Sequence, residues 1–74
     1  MSEPDHQLSD RELEVLVLVV DGLNNVEIAA RLGLARSTVQ SHVSSALAKT
    51  STRTRTQLAV MALRRGIVSL HPES

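Results

Sequence analysis

Hydrophobic and polar positions follow a helical period in four stretches of this chain, and in the third, Ala35 to Lys49 (ARSTVQSHVSSALAK), a buried stripe and an unusually bare polar stripe share one helix. At about 100° per residue, Val39, Val43, Ala46, Leu47 and Thr50 share one arc, the i, i+4, i+7, i+8 pattern of a core-facing helix. The opposite arc holds Ser37, Gln40, Ser41, Ser44 and Ala48, with Thr38, His42, Ser45 and Lys49 along one flank. These outer side chains are mostly short, uncharged and able both to donate and to accept hydrogen bonds, so the face can approach a polar surface closely. Serine is a poorer helix former than the Glu or Lys usual on a solvated face, and four serines here sacrifice intrinsic helix stability. Thr50 closes the buried arc with a hydroxyl that must bond a carbonyl one turn back, near Ala46, or lose water without compensation.

The other three stretches read as helices by their boundaries as well as their period. Ser9 and Glu12 form a capping box opening a first helix to about Asp21, with Leu8 placed to staple the entry and Gly22 as terminator. Its apolar positions nearly encircle it: Leu13, Leu16, Val17 and Val20 make one stripe and Val15, Leu18 and Val19 another. That β-branched run also fits a buried strand, but the caps and a span of about twelve residues favour helix. Asn24 and Glu27 open a second helix whose Ile28, Ala29 and Leu32 face inward before Gly33. Only Leu34 and Ala35 separate it from the third, so the two must cross steeply, with Ala29 and Gly33 placed for close approach. Ile28, Ala29, Leu32, Gly33, Leu34 and Val39 together meet the requirements of a helix-turn-helix. Thr54 and Gln57 make a third capping box, starting a fourth helix to about Arg65 with Gly66 beyond it. Leu58, Met61, Ala62 and Arg65 follow the 3,4 spacing of one face, with Ala59 and Leu63 alongside; Ile67 and Val68 are expected to fold back onto the core.

Composition narrows what such a fold can do. Seventy-four residues make one small all-α domain with a core worth only about 3–5 kcal/mol. Cys, Phe, Tyr and Trp are absent, so the core is aliphatic and has neither disulfides nor a cysteine-based zinc site, which suits a reducing cytosol. The longest apolar run, Val15 to Val20, is far short of the roughly 20 residues that span a bilayer, and no signal-peptide pattern opens the chain. A soluble cytoplasmic protein is expected. Net charge is zero, but residues 1–27 hold seven of the eight acids and one base, while residues 28–74 hold seven bases and one acid. A molecule so divided can turn a basic face to phosphate with its acidic half pointing away. His6, His42 and His71 have no carboxylate or thiolate partners at ligand spacing, no Ser–His pair sits at a nucleophile turn, and the domain is too thin for a deep pocket. Neither an enzyme nor a metal, cofactor or small-molecule site is expected. Arg53 and Arg55, in TRTRT, read equally well as phosphate ligands or solvated charges.

Taken in order, LSDRELEVL, GLNNVEIAARLGL, STVQSHVSSALAK and RTRTQLAVMALRRGIV closely resemble the LuxR-type helix-turn-helix domain of quorum-sensing activators and NarL-like response regulators, over about Leu8 to Val68. The resemblance implies a four-helix domain at 8–68, flanked by a disordered lead-in at 1–7 and tail at 69–74. It implies a sequence-specific regulator of transcription that places the recognition helix, 36–50, in the major groove of duplex DNA. Gln40, Ser41 and Ser44 then occupy base-reading positions, and Asn25, Thr38, His42 and Lys49 lie near the phosphate backbone, with Arg36, Ser37, Ser45 and Arg53 as further backbone candidates. The fourth helix commonly pairs two copies on DNA, here through some of Gln57, Val60, Met61 and Arg64. Family members commonly carry an upstream receiver or ligand-binding domain. Several positions depart from the pattern. Basic residues are common where this chain has Val26, Gln40 or Ser44, so modest non-specific affinity is expected. The usual Ser or Thr cap of the third helix is Ala35, leaving Arg36 or Ser37 to help satisfy the first turn. The Leu-Gly-Val that often closes that helix is Thr50, Ser51 and Thr52. Val17 replaces a common polar residue and, with Val26, is expected to expose an apolar patch. That patch supports an alternative, a protein-interaction module docking on RNA polymerase, a sigma factor or a regulatory domain. Binding to DNA weakens steeply with salt, whereas a valine-centred contact does not.

Overall fold

The computed structural model describes residues 8–68; the expectations for segments 1–7 and 69–74, with His6 and His71, lie outside the described residues. Within them the chain forms α1 (Asp10–Val20), α2 (Asn25–Leu32), α3 (Arg36–Thr50) and α4 (Arg55–Arg64). The capping boxes at α1 and α2 both form: Ser9 Oγ accepts from the Glu12 amide while Glu12 Oε1 accepts from the Ser9 amide, and Asn24 and Glu27 repeat the exchange. At α4 only half a box forms. Thr54 Oγ1 accepts from the Gln57 amide, but Gln57 Oε1 accepts from the amide of Arg53, one residue before the cap.

The two apolar stripes of α1 divide between two clusters of side chains, and α1 lies between them. Val15, Leu18 and Val19 pack with Ile28 and Ala29 of α2 and Val39 and Val43 of α3. Leu16, flanked by Leu13, Val17 and Val20, packs with Leu8, Ala46, Leu58, Ala62 and Val68. Leu47 of α3 touches both clusters. Burying one such Leu, Ile or Val side chain contributes about 1.5–3 kcal/mol, so a helix apolar on two sides stabilises both halves of a very small domain. Val17 is therefore half-buried against the second cluster, and the exposed patch expected of it with Val26 does not form.

In α4 the packed stripe is narrower than the spacing suggested. Leu58 and Ala62 are buried and Met61 is half-buried, but Leu63 and Arg65 are exposed. Arg65 is the C-cap of α4, its amide still bonded to the Met61 carbonyl, and Leu63 lines a shallow surface cleft with Val19, Leu23 and Ala59. Ile67 and Val68 do return to the core, their amides donating to the Ala62 carbonyl. The α2–α3 turn also differs in its reason. Gly33 sits at φ +70°, and a Cβ placed there would meet nothing within 4 Å, so the turn needs glycine for its left-handed backbone and not for close approach. The amides of Gly33 and Leu34 both reach the Ala29 carbonyl, satisfying the end of α2 and starting the turn.

The buried stripe of α3 runs its full length, to Thr50 at 7% exposure. Thr50 Oγ1 donates to the Ala46 carbonyl at 2.7 Å, which makes Thr52 the donor in the 2.9 Å contact between the two hydroxyls. Both ends of α3 lack favourable local chemistry. Ala35 provides no side-chain cap, and no bond from Arg36 or Ser37 replaces it. Ser51 ends the helix at φ +58°, the one non-glycine residue with positive φ among the described residues.

What holds α3 against α1, besides apolar packing, is Glu12. Its side chain is buried, and the oxygen that accepts from the Ser9 amide also accepts from Lys49 Nζ of α3 at 2.9 Å. Burial pushes the carboxyl pKa up, but hydrogen bonds from the Ser45 hydroxyl, the Ser9 amide and Lys49, with the charge of Lys49, outweigh it and hold the value at about 2, against an ordinary 4.5.

Two predictions follow from this packing. A carboxyl lowered from 4.5 to about 2 contributes stability that is complete above pH 4.5 and lost as pH falls towards 2. The contribution is up to about 3 kcal/mol. Chemical denaturation of the wild type is expected to show this loss between pH 4.5 and 2.5, and Glu12→Gln is expected to be less stable at pH 7 with a flatter profile across that window. An unchanged slope in Glu12→Gln would remove Glu12 from this role. At the far end of α3, Ser51→Gly relieves a left-handed residue of its Cβ and is expected to stabilise by about 0.5–1 kcal/mol, raising the melting temperature by a few degrees. A lowered midpoint would show that Ser51 is not strained.

Candidate nucleic-acid interface

Of the side chains on the outer arc of α3, Ser37, Gln40, Ser41, Ser44 and Ala48 are all exposed, while Val39, Val43, Ala46 and Thr50 on the opposite side are buried. Thr38, His42 and Ser45 on the flank are half-buried. The helix is 15 residues, about 22 Å long, and presents along its outside no acidic side chain and no bulky apolar one. A bare polar helix of this kind can enter a groove whose floor offers hydrogen-bond donors and acceptors and whose walls are phosphate.

Several of the expected contact residues have partners within the protein. Lys49 remains 40% exposed at its side chain, but its ammonium rests on Glu12, and Ser45 bonds the same carboxylate. Asn25, the first residue of α2, is half-buried with both ends of its amide engaged: Oδ1 accepts from Arg55 Nη1 at 2.7 Å, and Nδ2 donates to Gln40 Oε1 at 3.0 Å. Gln40 Nε2 in turn donates to Ser44 Oγ at 3.0 Å. Two of the base-reading candidates, Gln40 and Ser44, are thus joined on the exposed face, and Ser41 lies beside them on the same arc. Arg36 and Arg53 are exposed, with no side-chain ion pair among the described residues.

Arg55, which in sequence reads like Arg53 as a phosphate ligand or a solvated charge, is bonded within the fold. Its guanidinium bridges the start of α4 to the segment entering α2, with Nη2 donating to the Leu23 carbonyl at 2.8 Å as well as Nη1 to Asn25. One signal was available. A cation in the first helical turn faces the positive end of the helix dipole, so an arginine directly after the Thr54 cap is poorly placed unless held by something outside its own helix.

On the far side of α4, Gln57, Val60, Met61 and Arg64 line one shallow groove with Thr56 and Arg65. Val60 is 43% exposed. The four residues expected to pair two copies therefore share a single accessible face, partly apolar and bordered by arginine. Val26, 55% exposed at the start of α2, stands apart from them on another helix.

Comparison with known proteins identifies relatives across the four-helix segment. The family model described as bacterial regulatory proteins, luxR family, matches residues 6–62. The transcriptional regulatory protein LnrK of Bacillus subtilis is 45% identical over 60 residues, covering 81% of this chain and 27% of that protein. The transcriptional regulatory protein LiaR of the same organism is 39% identical over 66 residues, 89% of this chain and 31% of LiaR. The response regulator protein VraR of Staphylococcus aureus is 36% identical over 61 residues, 82% of this chain and 29% of VraR. This chain thus spans less than a third of the length of each of these three relatives. With the four-helix fold, the open polar face of α3 and a family match across most of its length, the chain belongs to the LuxR family of bacterial regulatory proteins.

Proposed function

We propose that α3 lies in the major groove of duplex DNA with Gln40, Ser41 and Ser44 towards the base edges, and that the domain binds a specific sequence. The observation that carries this reading is the outer arc of α3: exposed, uncharged and rich in hydrogen-bonding groups along a helix whose inner arc buries Val39, Val43, Ala46 and Thr50. A major groove about 12 Å wide admits a helix of this kind. Arg36, Ser37, Thr38, His42 and Arg53 supply contacts to phosphate. Asn25, Ser45 and Lys49 contribute chiefly by position, since each is already bonded within the protein, and Glu12 offsets much of the charge of Lys49. Two copies pair on DNA through the α4 groove of Gln57, Val60, Met61 and Arg64. The names of the relatives and their greater length support a role as the output part of a regulator controlled by a signal-receiving domain.

Binding is expected to weaken with salt, log K falling by about 0.9 per phosphate neutralised in log salt; a salt-independent or absent shift across duplex pools would refute the reading. In selection from random duplexes, Gln40→Ala is expected to relax preference at one position, most simply an adenine, by about 1–3 kcal/mol. Arg36→Ala is expected to weaken all duplexes alike and to reduce the salt slope by about one. Equal changes of sequence preference in the two variants would show that the roles are wrongly divided.

The pairing makes a separate prediction. A face as small as this groove does not hold a dimer by itself, so sedimentation is expected to show a monomer without DNA and two copies on half-sites about one helical turn apart. Val60→Glu is expected to abolish the paired complex while leaving single half-site binding. A tight dimer in free solution, or a paired complex that survives Val60→Glu, would count against α4 as the contact.

A further inference from the structure

The hydrogen bonds that run from α4 to the outer face of α3 have a direction. A guanidinium has donors only, so the atom of Asn25 that meets Arg55 must be the carbonyl oxygen Oδ1. That leaves Asn25 Nδ2 facing α3, where it can only donate, so the atom of Gln40 that meets it must be Oε1. Gln40 Nε2 then points along α3 to Ser44 Oγ, which accepts. Every link has one possible sense, and that sense originates at Arg55. The guanidinium is itself held in place by a second bond, to the Leu23 carbonyl, and the half-buried Arg55 side chain bridges from the start of α4 to the segment entering α2.

We infer that Arg55, which touches no base itself, is a specificity-determining positioning residue: through Asn25 it sets which way round the Gln40 amide is presented to DNA. The inference rests on the reading of α3 as the base-reading helix. Its consequence is specific, because A·T and T·A pairs offer the same major-groove donor and acceptor in opposite order across the groove. An amide able to turn over serves both. An amide held with its acceptor on the α2 side and its donor on the Ser44 side serves one. Once docking excludes water, the held direction counts for more, as hydrogen bonds strengthen in a lower dielectric.

The experiment compares A·T with T·A at the position relaxed by Gln40→Ala, using selection followed by titration of defined duplexes, for the wild type, Arg55→Met and Asn25→Asp. The wild type is expected to prefer one pair by about tenfold, as a bidentate contact allows. Arg55→Met keeps an apolar stem of similar reach but frees both amides, and is expected to bring the ratio near parity. Adding Gln40→Ala to it is expected to change the ratio no further. Asn25→Asp keeps a partner for Arg55 but offers α3 an acceptor, so Gln40 must turn over and Ser44 must donate; the preference is expected to reverse, at lower overall affinity because of the added negative charge. Nuclear Overhauser contacts of the Gln40 side-chain amide protons in free protein give an independent readout, near Ser44 in the wild type and near residue 25 in Asn25→Asp. Folded variants that keep the wild-type ratio, or lose affinity equally for all duplexes, overturn the inference while leaving the DNA-binding reading intact. If Arg55→Met does not fold, Asn25→Asp decides. Failure of the wild type to bind any duplex in a salt-dependent way would instead refute the reading on which the inference rests.

Discussion

A helix that is apolar around most of its circumference cannot remain at a surface, and in a chain this small it dictates where everything else goes. For α1 the two stripes demand two partners, and the molecule divides into the α2–α3 pair on one side and α4 with the returning C-terminal segment on the other. Helix α3 contributes to both: Val39 and Val43 near its start face the first cluster, and Ala46 faces the second. Its inner arc is committed along its whole length to α1 and its neighbours, and this is what frees the outer arc to be bare and polar.

The same packing explains why α3 tolerates poor local choices. Serines along its exposed face, an uncapped start at Ala35 and a left-handed serine at its end each weaken the isolated helix. Tertiary contacts make up the difference, with Glu12 binding Lys49 and Ser45 in the second half of the helix. Violations of local rules concentrated on one element commonly mark a functional constraint, and here they fall on the helix read as the DNA contact. The charge division of the chain acquires a finer meaning as well. Although acids dominate the first 27 residues, one of them, Glu12, reaches into the basic half and offsets a cation there, while Arg36 and Arg53 are exposed with no side-chain ion pair among the described residues.

Much of the fold was legible from residue order alone, because its determinants are local. Capping by Ser9 and Asn24, the helix stop at Gly33, the return of Ile67 and Val68 and the bond from Thr50 to the Ala46 carbonyl all act within a few residues along the chain. A period of 3.6 is enough to separate the inner from the outer face of α3, and with it Gln40, Ser41 and Ser44 from Val39 and Val43. Some local readings were nonetheless displaced by geometry: Gln57 reaches past the Thr54 cap to Arg53, and Arg65 lies just beyond the last helical turn.

What only the tertiary structure decided is which polar groups separated by tens of residues meet. Arg55 and Asn25, 30 residues apart, and Glu12 and Lys49, 37 apart, leave no periodic trace, since a charged or amide side chain reads the same in sequence whether it is solvated, bound to phosphate or bonded within the fold. The bridging role of Arg55, and the half-burial of Val17 where an exposed patch with Val26 was expected, escape the sequence for the same reason. Hydrophobic burial is encoded redundantly in repeated spacing, whereas a polar contact depends on two particular atoms arriving within hydrogen-bonding distance, and that is known only once the helices have packed.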